Sequence, residues 1–278
     1  MPPLGNNRLV QAFAALHSAG RKTVVPFITA GFPDLETTAA LLNEFVARGV
    51  RVCELGIPFS DPVADGPVIQ SSYTQALAAG VTSDAIFETV RRFRRSGTDQ
   101  RGAGEPALVA MVSYSIVFRR GVRGYLADAR DAGFDGVIIP DLSLEETDPV
   151  EGAARELGIC NVMLVAPTTS PRRRLEIARR SEGFIYYVSV AGITGTRDRL
   201  PEAAITAVAE LRRQVDTPIC VGFGISRPEM VAEVCTVADG AIVGSAIVKR
   251  ITEEKDKPRE RMVEEVGQFV SRLLAPLR

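Results

Sequence analysis

The stretch C-E-L-G-I-P-F-S-D-P-V-A-D-G-P-V-I-Q, Cys53 to Gln70, opens as a buried strand and runs into a loop stiffened by Pro58, Pro62 and Pro67. The strand, from Arg51 to Gly56, carries an acid inside it. Period-2 alternation sets Val52 and Glu54 on one face and Cys53 and Leu55 on the other. A carboxylate among apolar strand residues is costly to bury without a partner. The following loop offers no Lys or Arg and adds two more acids, Asp61 and Asp65. A local ion pair therefore does not account for Glu54. What remains is a distant basic partner or a chemical role.

Working outward, seven further runs read as strands, giving Thr23–Thr29, Val52–Gly56, Ala107–Ser113, Gly136–Pro140, Val162–Ala166, Phe184–Val188, Ile219–Gly222 and Gly240–Val243. Amphipathic patterns separate them. Ile86, Phe87, Val90 and Phe93 recur at helical spacing behind Thr82 or Ser83 as N-cap. Met262, Val263, Val266, Phe269, Val270, Leu273 and Leu274 form an apolar stripe on a last helix that starts near Pro258. Another helix, Arg8 to Ser18, precedes the first strand. Strict alternation of strand and helix predicts a parallel sheet with right-handed crossovers. Eight repeats predict a closed (β/α)8 TIM barrel with an additional N-terminal helix, in one domain spanning residues 1–278. An open doubly wound sheet is the alternative, but the first strand ends Thr29-Ala30-Gly31-Phe32-Pro33, without the glycine fingerprint of that fold.

Composition narrows the function. The net charge of −1 gives no basic excess to attract nucleic acid or a membrane surface. The arginines at 91–92, 94–95 and 172–174 fall on helices or helix starts and read as solvated faces. Cys53, Cys160, Cys220 and Cys235 are too dispersed for a C-x-x-C pair and read as buried thiols in a reducing, cytoplasmic compartment. With one histidine, His17, a protein metal site and histidine acid–base catalysis are both disfavoured. No run reads as a signal peptide or a membrane span.

In a barrel of this kind the active site forms at the carboxyl ends of the strands. Glu54 lies two residues before the glycine that ends the second strand, and Asp65 follows within reach of the same space. Two carboxylates in unlike environments can divide proton transfer from electrostatic stabilisation. Gly222-Phe223-Gly224-Ile225-Ser226 follows the seventh strand and Gly244-Ser245-Ala246 the eighth. Backbone amides at such turns cradle phosphate, and Ser245 adds a hydroxyl at a helix start. A basic side chain is not required if the amides do the binding. Ala191-Gly192-Ile193-Thr194-Gly195-Thr196, then Arg197, Asp198 and Arg199, suits a lid or a plain surface loop. Tyr186 alternates inward. Phe27, Ile69, Met111, Ile138 and Phe223 give the mouth an apolar character that fits a flat ring bearing a phosphorylated tail.

These blocks, with Val25 to Pro33, Tyr186 to Gly195, Gly222 to Ser226 and Gly244 to Lys249 in the same order, resemble the tryptophan synthase α subunit family over nearly the whole chain. The resemblance implies a retro-aldol cleavage of indole-3-glycerol phosphate to indole and glyceraldehyde 3-phosphate. It implies no cofactor in this chain, and a pyridoxal-phosphate β subunit as partner in an α2β2 heterotetramer. It places the acid–base role on Glu54 and the indole N–H acceptor on Asp65. Burial should raise the Glu54 pKa, while Asp65, in a polar loop, should stay ionised. Tyr186 matches the family's active-site tyrosine and Thr194 its lid threonine. Gly195, Gly224, Gly244 and Ser245 match phosphate-binding positions. Ser115-Ile116 and Asp141-Leu142-Ser143 depart from the common Asn-Pro and Asp-Leu-Pro on the β-facing side. Rival readings are a stand-alone lyase that releases indole, a sugar-phosphate isomerase or epimerase, and a barrel that only activates β.

Overall fold

The computed structural model describes residues 4–62, 65–96, 105–189, 201–222 and 224–277. Strands β1 (Thr23–Thr29), β2 (Val52–Gly56), β3 (Ala107–Met111), β4 (Gly136–Ile138), β5 (Cys160–Val165), β6 (Ile185–Val188), β7 (Ile219–Gly222) and β8 (Gly240–Val243) are all parallel. They pair in sequence order, and β8 returns to β1 to close the barrel. The third and fourth strands stop sooner than their apolar runs suggest. Ser113 caps the next helix by accepting the Ser115 N–H, and Pro140 has no N–H to extend a ladder.

Helix α1 (Arg8–Ser18) precedes β1, α2 (Leu35–Ala47) follows it, and α3 (Pro67–Ala78) and α4 (Ser83–Ser96) lie between β2 and β3. Then come α5 (Tyr114–Arg120), α6 (Val122–Ala132), α7 (Asp148–Leu157), α8 (Pro171–Arg180), α9 (Glu202–Arg212) and α10 (Pro228–Val234), with α11 (Ser245–Glu254) and α12 (Arg259–Leu274) after β8. Thr82 caps α4 by accepting the Ala85 N–H at 3.2 Å. The apolar stripe of α12, Met262 to Leu274, is buried as its spacing requires.

The amino-terminal end of the barrel is plugged by α1. Leu9 fills the space that Gly136 and Gly183 leave empty: a Cβ added there would lie 3.1 and 2.5 Å from its Cδ2. Phe13 stacks on Phe184 with centroids 5.6 Å apart. Two aspartates then staple this end. Asp135, just before β4, accepts the Leu108 N–H at 2.9 Å, Arg94 Nη2 at 2.8 Å and Arg8 Nη1 at 2.8 Å. Asp239, just before β8, accepts the Ile219 N–H at 2.9 Å and Lys22 Nζ at 3.0 Å, and pairs with Arg212. The same device thus recurs four strands apart. It also corrects the reading of the arginine run. Arg91, Arg92 and Arg95 pair on the surface with Glu88, but Arg94 is buried and also donates to the carbonyls of Gly133 and Pro106.

Removing one partner of a buried pair leaves the other charge uncompensated. Asp135→Ala should therefore lower the unfolding free energy by about 3 kcal/mol. Urea unfolding at neutral pH checks this, and Asp84→Ala, at a surface pair with Arg120, should change it by less than about 1 kcal/mol.

Candidate active site

Ladder partners in a parallel sheet point to the same face, and Glu54 pairs with Phe27 on one side and Val109 on the other. Its side chain enters the barrel and is 0% exposed. Neither carboxylate oxygen has a hydrogen-bond partner among the described residues. Among the described residues no distant base pairs with it. Burial first, and the neighbouring Asp65 second, push its pKa up from 4.5 to about 8.

Asp65 arrives from the loop after β2. Its N–H donates to the Pro62 carbonyl at 3.2 Å, and Gln70 of α3 ties the loop down by donating to the Asp65 carbonyl at 2.8 Å. A hydroxyl contact of 2.6 Å between Ser72 and Thr29 fixes α3 against β1. Asp65 is less solvated than a polar loop suggests, and burial pushes its pKa up to about 6. It is mainly ionised only above that pH, which narrows the expected contrast with Glu54 without reversing it.

Two strand-end glycines make room for the rings. A Cβ on Gly56 would come 2.4 Å from Phe27 Cζ and 2.5 Å from the Tyr73 hydroxyl. A Cβ on Gly222 would come 2.5 Å from the Tyr186 hydroxyl. Phe27 and Tyr186 can therefore lie across the barrel mouth. Burial, then Glu54 and Asp65, push the Tyr186 pKa well up, so its hydroxyl stays neutral.

Phe27, Glu54, Asp65, Ile69, Met111, Tyr186, Gly224, Gly244 and Ser245 line one narrow cavity that opens to solvent. Ile225, Ile242 and Gly66 complete the lining and were not singled out in the sequence. Ile242 was recoverable from the inward register of β8, and Gly66 from the Gly-Pro start of α3. Ile138 is fully buried and does not reach this cavity. Thr194, Gly195, Phe223 and the rest of the loop at 191–199 lie outside the described residues.

At one end of the cavity Gly244 is the N-cap of α11 and Ser245 its first residue, with no side-chain cap on the helix. The first amides of a helix have no carbonyl partner within it and favour an anion. Gly224 takes φ +81°, a left-handed conformation, and a Cβ there would meet nothing within 4 Å. Gly244 has a second constraint, since a Cβ would lie 3.3 Å from Phe27. The cavity thus joins an apolar chamber with two acids to a helix start whose free amides are able to hold an anion. Among the described residues no group of His, Cys, Asp and Glu is placed to hold a metal ion, and no helix is long and apolar enough to cross a membrane. All four cysteines are buried and unbridged.

Residues 13–274 match the family model for the tryptophan synthase alpha chain. The tryptophan synthase alpha chain of Rhodopirellula baltica is 42% identical over 94% of this chain and 95% of its own. The solved tryptophan synthase subunit alpha of Legionella pneumophila superposes with a TM-score of 0.87, at 34% identity over 98% of each chain. A chain of a tryptophan synthase complex from Pyrococcus furiosus superposes with a TM-score of 0.81, at 35% identity over 92% of this chain and 99% of that one.

A carboxyl group whose pKa is raised on folding stabilises the fold in full below its unfolded pKa, and that contribution is lost as pH rises through the folded value. For Glu54 the window runs from 4.5 to about 8. Glu54→Gln stays neutral throughout. Its unfolding free energy should gain on wild type across this window by up to about 1.4 kcal/mol per pH unit. Urea titrations of both proteins at a series of pH values check the slope, and parallel curves would show that Glu54 does not titrate as a buried acid.

Proposed function

Because this chain belongs to the tryptophan synthase alpha chain family, it is a carbon–carbon lyase of tryptophan biosynthesis that cleaves indole-3-glycerol phosphate to indole and glyceraldehyde 3-phosphate, and we propose that Glu54 and Asp65 carry the reaction. The observation that supports this is the unpartnered, buried carboxyl of Glu54 in the same cavity as Asp65. With its pKa at about 8, Glu54 starts protonated near neutrality. It delivers that proton to C3 of the indole, which leaves positive charge on the ring at N1. Asp65, ionised above about 6, accepts a hydrogen bond from N1–H and stabilises that charge. The Glu54 carboxylate next takes the proton of the side-chain hydroxyl adjoining C3. The C–O bond becomes a carbonyl, the C–C bond breaks, and its electrons restore the aromatic ring. Glu54 ends protonated, as it began.

Phe27, Ile69, Met111, Tyr186 and Ile242 would hold the indole ring, joined by Phe223 from the loop after β7. The amides at Gly224, Gly244 and Ser245, with Thr194 and Gly195 of the loop after β6, would hold the phosphate tail and close over it. Proton transfer and charge stabilisation of this kind need no cofactor in this chain. The pyridoxal phosphate belongs to the β subunit, to which the α chain passes indole. We assign residues 1–278 to a single barrel domain acting in the cytoplasm. Sheet closure from β1 to β8 supports the first, and four buried free thiols suit the second.

The docking face is the carboxyl end of the barrel. There Asp141 accepts Ser113 Oγ at 2.7 Å and the Tyr114 N–H at 2.8 Å, linking the loops after β3 and β4. Ser115 lines an outer cavity together with Asp61, Asp65 and Met111. Phe118, one turn along α5 and 68% exposed, offers the β subunit an apolar anchor beside Tyr114.

Incubating the purified chain with indole-3-glycerol phosphate, with and without a β subunit, and measuring indole tests the reading. Glu54→Gln should lose on the order of 10²–10⁴-fold in turnover. Asp65→Asn should lose turnover rather than affinity, and a loss confined to KM would make Asp65 a ground-state binding residue. The pH profile of kcat/KM should be bell-shaped, with limbs near about 6 and about 8. Phe118→Asp should weaken α–β association by at least about tenfold and leave the isolated α reaction intact, as read by calorimetric titration with β.

A further inference from the structure

The anion cradle has a second side. A groove behind it shares Gly66, Gly224 and Ser245 with the reaction cavity, and its outer wall carries Lys249 and Arg250 of α11. Ser245 and Lys249 are four residues apart on that helix and therefore lie on one face, a turn apart. The two cations are differently engaged. The Arg250 guanidinium sits 5.1 Å over the Phe269 ring. Lys249 Nζ lies 3.9 Å from Glu253, the outer limit of an ion pair, on a side chain 64% exposed. A contact that loose leaves the flexible stem able to swing toward Ser245.

The charge balance of the cavity calls for such a group. Among the described residues its lining contains two acids, of which Asp65 is the one ionised near neutrality, and no Lys, Arg or His. Asp65 and the anion cradle share one cavity, so its charge adds to the negative potential that a phosphate would meet. The start of α11 supplies only about half a positive charge. A phosphate dianion is not neutralised by that alone.

We propose that Lys249 is the cation of the phosphate site, reaching over Ser245 from the outer groove to pair with the substrate's phosphate. This rests on the phosphate reading of Gly224, Gly244 and Ser245 and adds to it the group that sets preference for a phosphorylated tail. In this site the amides supply geometry and Lys249 supplies charge.

The test is calorimetric titration of inorganic phosphate and of glycerol 3-phosphate into wild type, Lys249→Met, Lys249→Arg, Arg250→Met and Gly224→Val, at low and high salt, with KM and kcat measured alongside. Lys249→Met should bind both anions about three- to tenfold more weakly, with a flatter salt dependence. The loss should fall on KM more than on kcat. Lys249→Arg should recover most of the affinity, and Arg250→Met should match wild type. If Lys249→Met binds like wild type while Gly224→Val is weakened, Lys249 has no part and the amide cradle stands alone. If wild type binds neither anion, or Gly224→Val binds as well as wild type, the phosphate reading itself falls and this assignment falls with it.

Discussion

The pairing of Phe27 with Glu54, and of Glu54 with Val109, turns an acid into the interior of a closed barrel, where neither oxygen finds a partner among the described residues. In a low-dielectric interior the ionised form of such a group is strongly disfavoured, so the proton stays on it at neutral pH. A buried ion pair would have removed that property. The proposed chemistry therefore depends on what is left out around Glu54 as much as on what is present. Asp65, partly shielded at the mouth, differs from it by about two pH units in the same direction of shift. Two carboxyl groups of nearly equal intrinsic acidity are separated by depth first and by the charge of Asp65 beside Glu54 second.

The two ends of the barrel treat charge in opposite ways. At the amino-terminal end Asp135 and Asp239 are each surrounded by cations and by a backbone N–H of the neighbouring strand. Those contacts hold α1, α4 and α9 to the sheet. At the carboxyl end the cavity lining carries, among the described residues, two acids without a cation, and helix starts without a side-chain cap at Gly66 and Gly244. One end has its acids paired. The other presents unmet electrostatic demand, which a substrate with a polarisable ring and an anionic tail can satisfy. Strand-end glycines shape that end, because the absence of Cβ at Gly56 and Gly222 lets Phe27 and Tyr186 lean across the mouth.

The barrel, its eight strands and α1 were legible in the sequence, because alternation of period 2 and period 3.6 is a local property. The helix ends at Thr82 and Pro258 were legible for the same reason. Glu54, Asp65 and the glycine turns after β7 and β8 could also be picked out, since an acid inside an apolar strand and clustered glycines are anomalies in one dimension. Only the tertiary structure decided which neighbours those residues meet. Arg94 reads as one more surface arginine and is instead buried against Asp135, 41 residues away. Asp65 reads as a solvated loop acid and is partly shielded, because α3 and the barrel mouth close around it. Ile242 and Gly66 had local signals, the register of β8 and the Gly-Pro start of α3, but closure of the barrel decides that they and Ile225 line one cavity. Sequence sets the periodicity and the chemical outliers, which depend on near neighbours. Burial, and with it the pKa order of the two acids and the charge balance of the cavity, depends on residues brought together by closure of the sheet.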